Sequence, residues 1–81
     1  MPTITVRFFA AAREAFGARE SQMNAGSVDE LVTTLAEAAG TQAATVLSRS
    51  SFLVNSVAAT DKSVPLADGD TVDVLPPFAG G

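Results

Sequence analysis

The sequence predicts one α+β domain, in which a mixed sheet of four to five short strands wraps around one main helix. Three patterns support this prediction. In residues 3–9 and again in residues 71–75, apolar and polar side chains alternate, as they do in half-buried strands. After Ser27, apolar residues recur every three or four positions, which is typical of an amphipathic helix. Turn-forming residues separate short apolar segments in much of the remaining chain.

Composition limits both the size and the chemistry of the protein. A chain of 81 residues suffices for one small domain, and its 47% hydrophobic content argues against disorder. The sequence contains neither Cys nor His, which excludes disulfides, thiolate metal sites and the commonest general base at neutral pH. Nucleotide-binding and hydrolase motifs are also missing from it. We therefore do not expect an independent enzyme with catalytic residues of its own.

Charge and hydropathy bear on the partners and the location of the protein. Nine acidic residues against five basic ones give a net charge of −4, which favours a partner with a basic face and argues against nucleic acid. No apolar segment approaches the roughly 20 residues that cross a bilayer. Arg7 interrupts the first apolar run, and no charge precedes that run, which favours a strand over a signal peptide. We expect a cytoplasmic protein that contacts no membrane.

The first predicted strand gives way to a short helix at Phe9. Strand residues 3–9 place three apolar side chains on the core face: Ile4, Val6 and Phe8. Positions 9, 12 and 16 are then apolar at helical spacing, and Gly17 is placed to end this helix in a left-handed conformation. Residues 19–24 are polar enough for an edge strand.

The main helix is the clearest element of the sequence. Ser27 and Glu30 fit a capping box, and Gly40 is placed to end the helix. We assign its apolar stripe to the core: Val28, Leu31, Val32, Leu35 and Ala39. Residues 41–51 are harder to assign, and we expect one helical turn followed by a loop. Three side chains of that turn would face the core: Ala43, Val46 and Leu47.

Short strands and turns fill the last part of the domain. Residues 52–54 and 57–59 predict a tight hairpin, because the intervening Asn55 tolerates positive φ. Leu66 is expected to point inward. The last strand, residues 71–75, should lie beside the first one, so that it occupies the middle of the sheet. Its inward and outward positions alternate, with Val72 and Val74 inward and Asp73 outward.

The Asp68-Gly69-Asp70 segment before the last strand is a strong turn signal, since Asp-Gly suits positive φ. Two carboxylates around a glycine are also found in calcium loops. They are too few for the six to eight oxygen ligands that calcium requires, so we prefer the turn.

Residues 76–81 form a predicted tail beyond the domain of residues 1–75. Pro76 and Pro77 favour an extended exit from the sheet. Phe78 is a large apolar side chain that the tail itself cannot bury. Gly80 and Gly81 have no Cβ, so their backbone is thin enough for a narrow channel in which any side chain would collide. A Gly-Gly pair also occurs at chain ends by chance, about once in 200 chains.

Four segments resemble the MoaD/ThiS family of ubiquitin-like sulfur carriers, and especially its molybdopterin-synthase small-subunit branch. They are FFAAAREAFG after the first strand, VN in the hairpin, PLADGDTVDVLPP before the tail, and GG at the end. The first segment and the Pro-Pro pair are more typical of the molybdopterin branch than of the thiamin-type carriers. The resemblance covers essentially the whole chain and implies the β-grasp, or ubiquitin-like, fold.

The resemblance also implies a chemical role for the carboxylate of Gly81. In this family an E1-like adenylating enzyme of the MoeB type consumes ATP to form an acyl adenylate on that carboxylate. A sulfur donor, such as a cysteine desulfurase or a rhodanese, then displaces AMP and leaves a thiocarboxylate. The tail enters the MoaE-type large subunit of molybdopterin synthase and donates its sulfur to a pterin precursor. The chain itself is expected to bind no cofactor and no metal.

Two groups of residues are candidates for contact with these partners. The first is the tail, with Gly80 as the thin segment before the carrier residue and four further contacts: Ala79, Phe78, Pro77 and Pro76. The second is an apolar docking patch on the outer sheet face, formed by Phe9, Leu53 and Leu75. Ordinary core packing explains the patch residues equally well. A further candidate for partner contact is a group of three arginines at one edge of the sheet, although solvated surface charge is the simpler explanation: Arg7, Arg13 and Arg19.

Three other functions remain open at this stage. A sulfur carrier for thiamin, cysteine or tungsten-pterin synthesis would have the same fold and tail. A protein modifier would join Gly81 to lysines, although Lys62 is the only lysine of this chain. A plain binding module would have an incidental Gly-Gly end.

Overall fold

The computed structural model describes residues 2–59, 61 and 63–75. This part of the chain forms one five-stranded sheet with three helices. The elements in chain order are β1 (Thr3–Phe8), α1 (Ala11–Phe16), β2 (Glu20–Asn24), α2 (Val28–Ala39), α3 (Thr41–Arg49), β3 (Ser51–Val54), β4 (Val57–Ala58) and β5 (Thr71–Leu75).

The sheet has the strand order β2-β1-β5-β3-β4, so the last strand lies in the middle. β5 runs parallel to β1, with Val6 opposite Val72, and antiparallel to β3, with Phe52 opposite Val74. β2 and β4 pair antiparallel to their neighbours and form the two edges. The prediction that the first and last strands are neighbours is confirmed.

The core lies between one face of the sheet and the helices, because the alternating strand residues and the stripe of α2 are buried together. Ile4 and Val6 of β1 and Leu31 of α2 are fully buried. Leu66 contributes from the segment before β5 and is 6% exposed, as the sequence predicted. The rest of the core cluster is Phe8, Ala12, Ala25, Val28, Leu35, Leu47, Phe52, Val72 and Val74.

Caps and turns form where the sequence placed them. Gly17 ends α1 in the left-handed conformation, with φ 67° and ψ 22°. Ser27 caps α2, since its hydroxyl oxygen accepts a hydrogen bond from the Glu30 N–H at 3.2 Å. The β3–β4 hairpin turns through Asn55 and Ser56, both with positive φ, and the later turn before β5 includes Gly69 at φ 88°.

The segment after α2 differs from its prediction. Instead of one turn and a loop, residues 41–49 form the nine-residue helix α3, and β3 begins at Ser51. Gly40, with φ 88°, lies between α2 and α3 and so lets the second helix begin directly after the first. The polar exposed side of α3 hid its narrow apolar stripe, in which Ala43 and Leu47 are each only 1% exposed. Packing against α1 and α2 therefore stabilises a helix that its local sequence signals poorly.

Candidate functional site

The candidate site begins where the central strand ends. β5 ends at Leu75, between β1 on one side and β3 on the other. The Phe9 N–H donates a hydrogen bond to the Val74 carbonyl oxygen at 3.1 Å. This bond extends the pairing of the first and last strands to the end of β5. Leu75, at the end of the central strand, therefore lies in the middle of the sheet. Six predicted site residues lie outside the described residues: Pro76, Pro77, Phe78, Ala79, Gly80 and Gly81.

Arg7 and Asp73 form an ion pair near the end of the central strand. They are opposite each other in the parallel pair of β1 and β5, on the sheet face away from the helices. The Arg7 Nε–H donates to Asp73 Oδ1 at 2.8 Å, and Arg7 Nη2 donates to Asp73 Oδ2 at 3.1 Å. The hydrogen bond with Asp73 and the attraction of its charge raise the pKa of Arg7, and the charge of Glu20 adds to this shift.

Asp73 is on the outer face, as predicted, yet it is only 6% exposed. Arg7 shields it from water and remains about half exposed itself, at 48% of its side chain. The guanidinium carbon of Arg7 is also 5.6 Å from the centre of the Phe9 ring, within the range of a cation–π contact. The pair therefore connects the central strand to one of the predicted docking residues.

The three predicted docking residues share the outer face around this ion pair. Leu53 of β3 is directly opposite Asp73, and Leu75 is opposite Ser51 of the same strand. Phe9 follows the end of β1 next to β5. All three side chains are half-buried, and none belongs to the buried core cluster. The structure thus brings them to one surface, beside the end of β5.

Three arginines line a groove at the same end of the sheet. Arg7 belongs to β1, Arg13 to α1, and Arg19 precedes β2. The chain folds back at this point, and the Phe8 N–H donates to the Arg19 carbonyl oxygen at 2.8 Å. The groove has a volume of about 340 Å³ and is lined by Arg7, Phe8, Phe9, Arg13, Arg19 and Glu20. The gathering of arginines that the sequence suggested as a possibility is therefore present.

The acidic turn of residues 68–70 lies at the opposite end of β5, and its carboxylates accept hydrogen bonds from groups of the protein itself. Asp70 accepts from the Ala67 N–H at 2.8 Å and from the Asn55 side-chain amide at 3.0 Å, and both bonds lower the pKa of Asp70. Asp68 accepts from the Thr3 N–H at 2.8 Å. Among residues 2–59, 61 and 63–75, no group of acidic side chains is arranged to hold a metal ion. The turn explanation is therefore preferred over calcium binding.

Sequence reasoning missed the pairing of Arg7 with Asp73. The signal was present, because each residue interrupts an apolar strand at an outward position and the two strands were predicted to be neighbours. The register that sets them side by side was not encoded in any local pattern.

In the part of the chain that the structure describes, no helix is both long and apolar enough to cross a membrane.

Comparison with known proteins agrees with this architecture. The ThiS family model matches residues 6–81. No curated protein matches the sequence. The structure of the small archaeal modifier protein 1 from Methanosarcina acetivorans has a TM-score of 0.86 and 22% identity, with 100% of this chain and 98% of that chain covered.

Two further solved structures are similar over nearly the whole chain. One is the complex of subunits 1 and 2 of the molybdopterin-converting factor from Helicobacter pylori, with 26% identity, a TM-score of 0.75 and coverage of 98% and 99%. The other is a protein from Haloferax volcanii, with 29% identity, a TM-score of 0.82 and coverage of 99% of this chain and 87% of that one. The β-grasp, ubiquitin-like fold that the sequence predicted is confirmed.

Proposed function

The chain belongs to the ThiS family, and we propose that it is a sulfur carrier of molybdopterin synthesis that bears its sulfur on Gly81. Its fold is that of the ThiS/MoaD-type carriers and the ubiquitin-like modifiers. One observation carries the proposal: the family match extends from residue 6 to residue 81. It therefore includes both the central strand β5 and the Gly-Gly segment that follows it in the sequence.

The proposed reaction has two steps, and partner proteins supply the catalytic groups. First, a carboxylate oxygen of Gly81 attacks the α-phosphorus of ATP in an E1-like adenylating enzyme, and pyrophosphate leaves. Then hydrosulfide, which a thiol reductant releases from a persulfide on the sulfur donor, attacks the acyl carbon, and AMP leaves with the bonding electrons. The product is a Gly81 thiocarboxylate. This chain has no His and no Cys. Its part in the reaction is to supply the carboxylate that is activated.

The domain would contribute position rather than catalysis. β5 is held between two strands, and the ion pair of Arg7 and Asp73 links it to β1 two residues before Leu75. Six extended residues beyond Leu75 would reach about 20 Å. A fixed base and a thin end would allow the carboxylate to enter a deep partner site while the domain stays outside it. This arrangement reduces the entropy lost when the tail is ordered in that site.

Two observations support the molybdopterin pathway over other sulfur-transfer pathways. The FFAAAREAFG segment and the Pro-Pro pair resemble the molybdopterin branch of the family. In addition, a chain at 26% identity belongs to a structure of the two subunits of a molybdopterin-converting factor. We therefore propose a large-subunit partner of the MoaE type, which would receive the tail and transfer its sulfur to a pterin precursor.

The proposal is tested by the intact mass of the chain after incubation with an E1-like enzyme, ATP and a sulfur donor. We expect one oxygen atom to be replaced by sulfur at Gly81, which fragmentation of the last residues would locate. Gly81→Ala should lower the rate at which sulfur replaces oxygen roughly a hundred-fold, because the added Cβ would displace the reacting carbon in a narrow channel. Val57→Ala, a change at an exposed residue of β4, should react like the wild type.

Each other outcome favours a different function. Conjugates between Gly81 and lysine side chains of other proteins would favour the modifier. Thiocarboxylate formation without sulfur transfer to the pterin precursor, in the presence of the large subunit, would favour another sulfur-transfer pathway. An unchanged mass under all these conditions would contradict the carrier function.

A further inference from the structure

The arginine groove has a charge opposite to that of the protein as a whole. The chain has five basic residues and a net charge of −4, yet three of those five residues line this groove with a single acidic residue, Glu20. The charge of Arg7 is balanced by its ion pair with Asp73. Within the described residues, Arg13 and Arg19 have no acidic side chain within ion-pair distance, so their charges remain available to a ligand.

The groove is directly beside the end of β5, which the tail follows in the sequence. Its Phe9 wall donates the backbone hydrogen bond to Val74, one residue before Leu75. Phe9 is also a member of the apolar docking patch, so the groove and the patch form one continuous surface. A protein that receives the tail and covers the patch therefore has to cover the groove as well.

We infer that this groove binds acidic side chains of the adenylating enzyme, next to the channel that takes up the tail. The inference rests on the proposed function. On this inference the chain contributes positive charge to the interface, although its net charge of −4 alone would suggest negative charge there. The partner of an acidic protein should have a basic face, but the structure places the basic groups of this chain at the contact.

The chemistry of the groove favours carboxylates of a protein. Guanidinium groups bind carboxylates through two parallel hydrogen bonds. Arg13 of α1 and Arg19 before β2 come from separate parts of the chain, so they suit two spaced carboxylates. Arg7 uses Nε and Nη2 for Asp73, which fixes the guanidinium plane. Phe9 adds an apolar wall that a side chain of a protein would cover, whereas a small inorganic anion would leave it in water.

The experiment measures how fast the adenylating enzyme exchanges pyrophosphate into ATP as the concentration of this chain is varied. Arg13→Gln and Arg19→Gln should each raise KM for the chain about two- to five-fold and leave kcat unchanged, since exposed ion pairs contribute modestly. Glu20→Gln should lower KM, because it removes the repulsive charge from the groove. Arg49→Gln removes the same charge from the end of α3, outside the groove, and should leave KM unchanged.

Three controls make the result specific. The KM differences should disappear at about 1 M salt, where charges are screened within roughly 3 Å. Circular dichroism melting curves should show that all four variants remain folded. Titration of the chain with inorganic phosphate, followed by NMR, should leave the groove residues unshifted at millimolar concentration.

Three outcomes would overturn the inference. KM values for the two groove variants that match Arg49→Gln would show that the enzyme does not contact the groove. A fall in kcat at unchanged KM would assign the arginines to the chemical step. Saturable phosphate binding in the groove would identify a site for a small anion. In all three cases the wild type still supports exchange, whereas a wild type that supports no exchange would instead contradict the proposed function.

Discussion

Arg7 and Asp73, which are 66 positions apart in the chain, form a two-pronged ion pair across the parallel strands β1 and β5. The pair is on the outer face of the sheet, and Asp73 is two residues before the end of β5. It joins the first strand to the strand that bears the tail, and it orients the guanidinium over Phe9. One contact therefore contributes both to the fold and to the surface that partners would meet.

The two members of this pair should differ in their effect on stability. Asp73 is buried, so Arg7→Gln would leave a carboxylate with no counter-charge in a poorly solvated position. Arg7 is half exposed, so Asp73→Asn would leave a cation that water still solvates. We expect Arg7→Gln to lower the free energy of unfolding more than Asp73→Asn does, as measured by urea denaturation at neutral pH. Equal losses, or the reverse order, would contradict this account.

Acid should weaken the turn before β5. The hydrogen bonds from the Ala67 N–H and the Asn55 amide hold the folded-state pKa of Asp70 below its ordinary value of 3.8. A lowered pKa stabilises the folded state above the unfolded-state pKa, and this stabilisation is lost as the pH falls through the folded-state value. The gap in unfolding free energy between wild type and Asp70→Asn should therefore be full near neutral pH and narrow below about pH 4. Urea denaturation across a pH series checks this, and a constant gap would refute it.

Two glycines provide a matched test of backbone conformation. Gly69 has φ 88°, and a Cβ there would meet no atom within 4 Å, so only backbone strain opposes a side chain. Gly69→Ala should cost about 1–2 kcal/mol of unfolding free energy. A Cβ on Gly26 would lie 3.1 Å from Glu30 Oε1, the end of a flexible side chain, and its φ is unstrained. Gly26→Ala should thus cost less than about 0.5 kcal/mol by the same thermal or urea melt.

Apolar residues inside and outside the docking patch should differ in how much they contribute to binding of a partner protein. Leu53→Ser and Leu75→Ser should each weaken binding to a MoaE-type large subunit about ten-fold, the effect expected for residues inside an interface. Val57→Ser is the control, since Val57 is 68% exposed on the edge strand β4 and is not part of the patch. Isothermal titration calorimetry checks these affinities. Equal affinities for all three variants would place the interface elsewhere.

Local sequence signals identified most of the elements, and each did so through a short-range physical cause. The alternation around Val6, the capping hydroxyl of Ser27 and the positive φ of Gly17 each depend on residues a few positions apart. The same reasoning failed for α3, whose stability depends on Leu47 packing among residues of other elements. A helix that is stabilised mainly by packing against other elements has a weak local pattern, so its own segment does not predict its full length.

The sequence by itself determined the periodicity of each main element, the turn chemistry, the position of β5 as the last strand, and the likeness to a sulfur-carrier family. These properties depend on side-chain spacing and on the conformational freedom of particular residues. Only the tertiary structure decided that Arg7 lies against Asp73, that Phe9, Leu53 and Leu75 share one surface, and that three arginines line one groove beside it. Such arrangements depend on strand register and on how the chain folds back between elements. Both are set by packing of the whole domain, because contacts between distant residues fix them together.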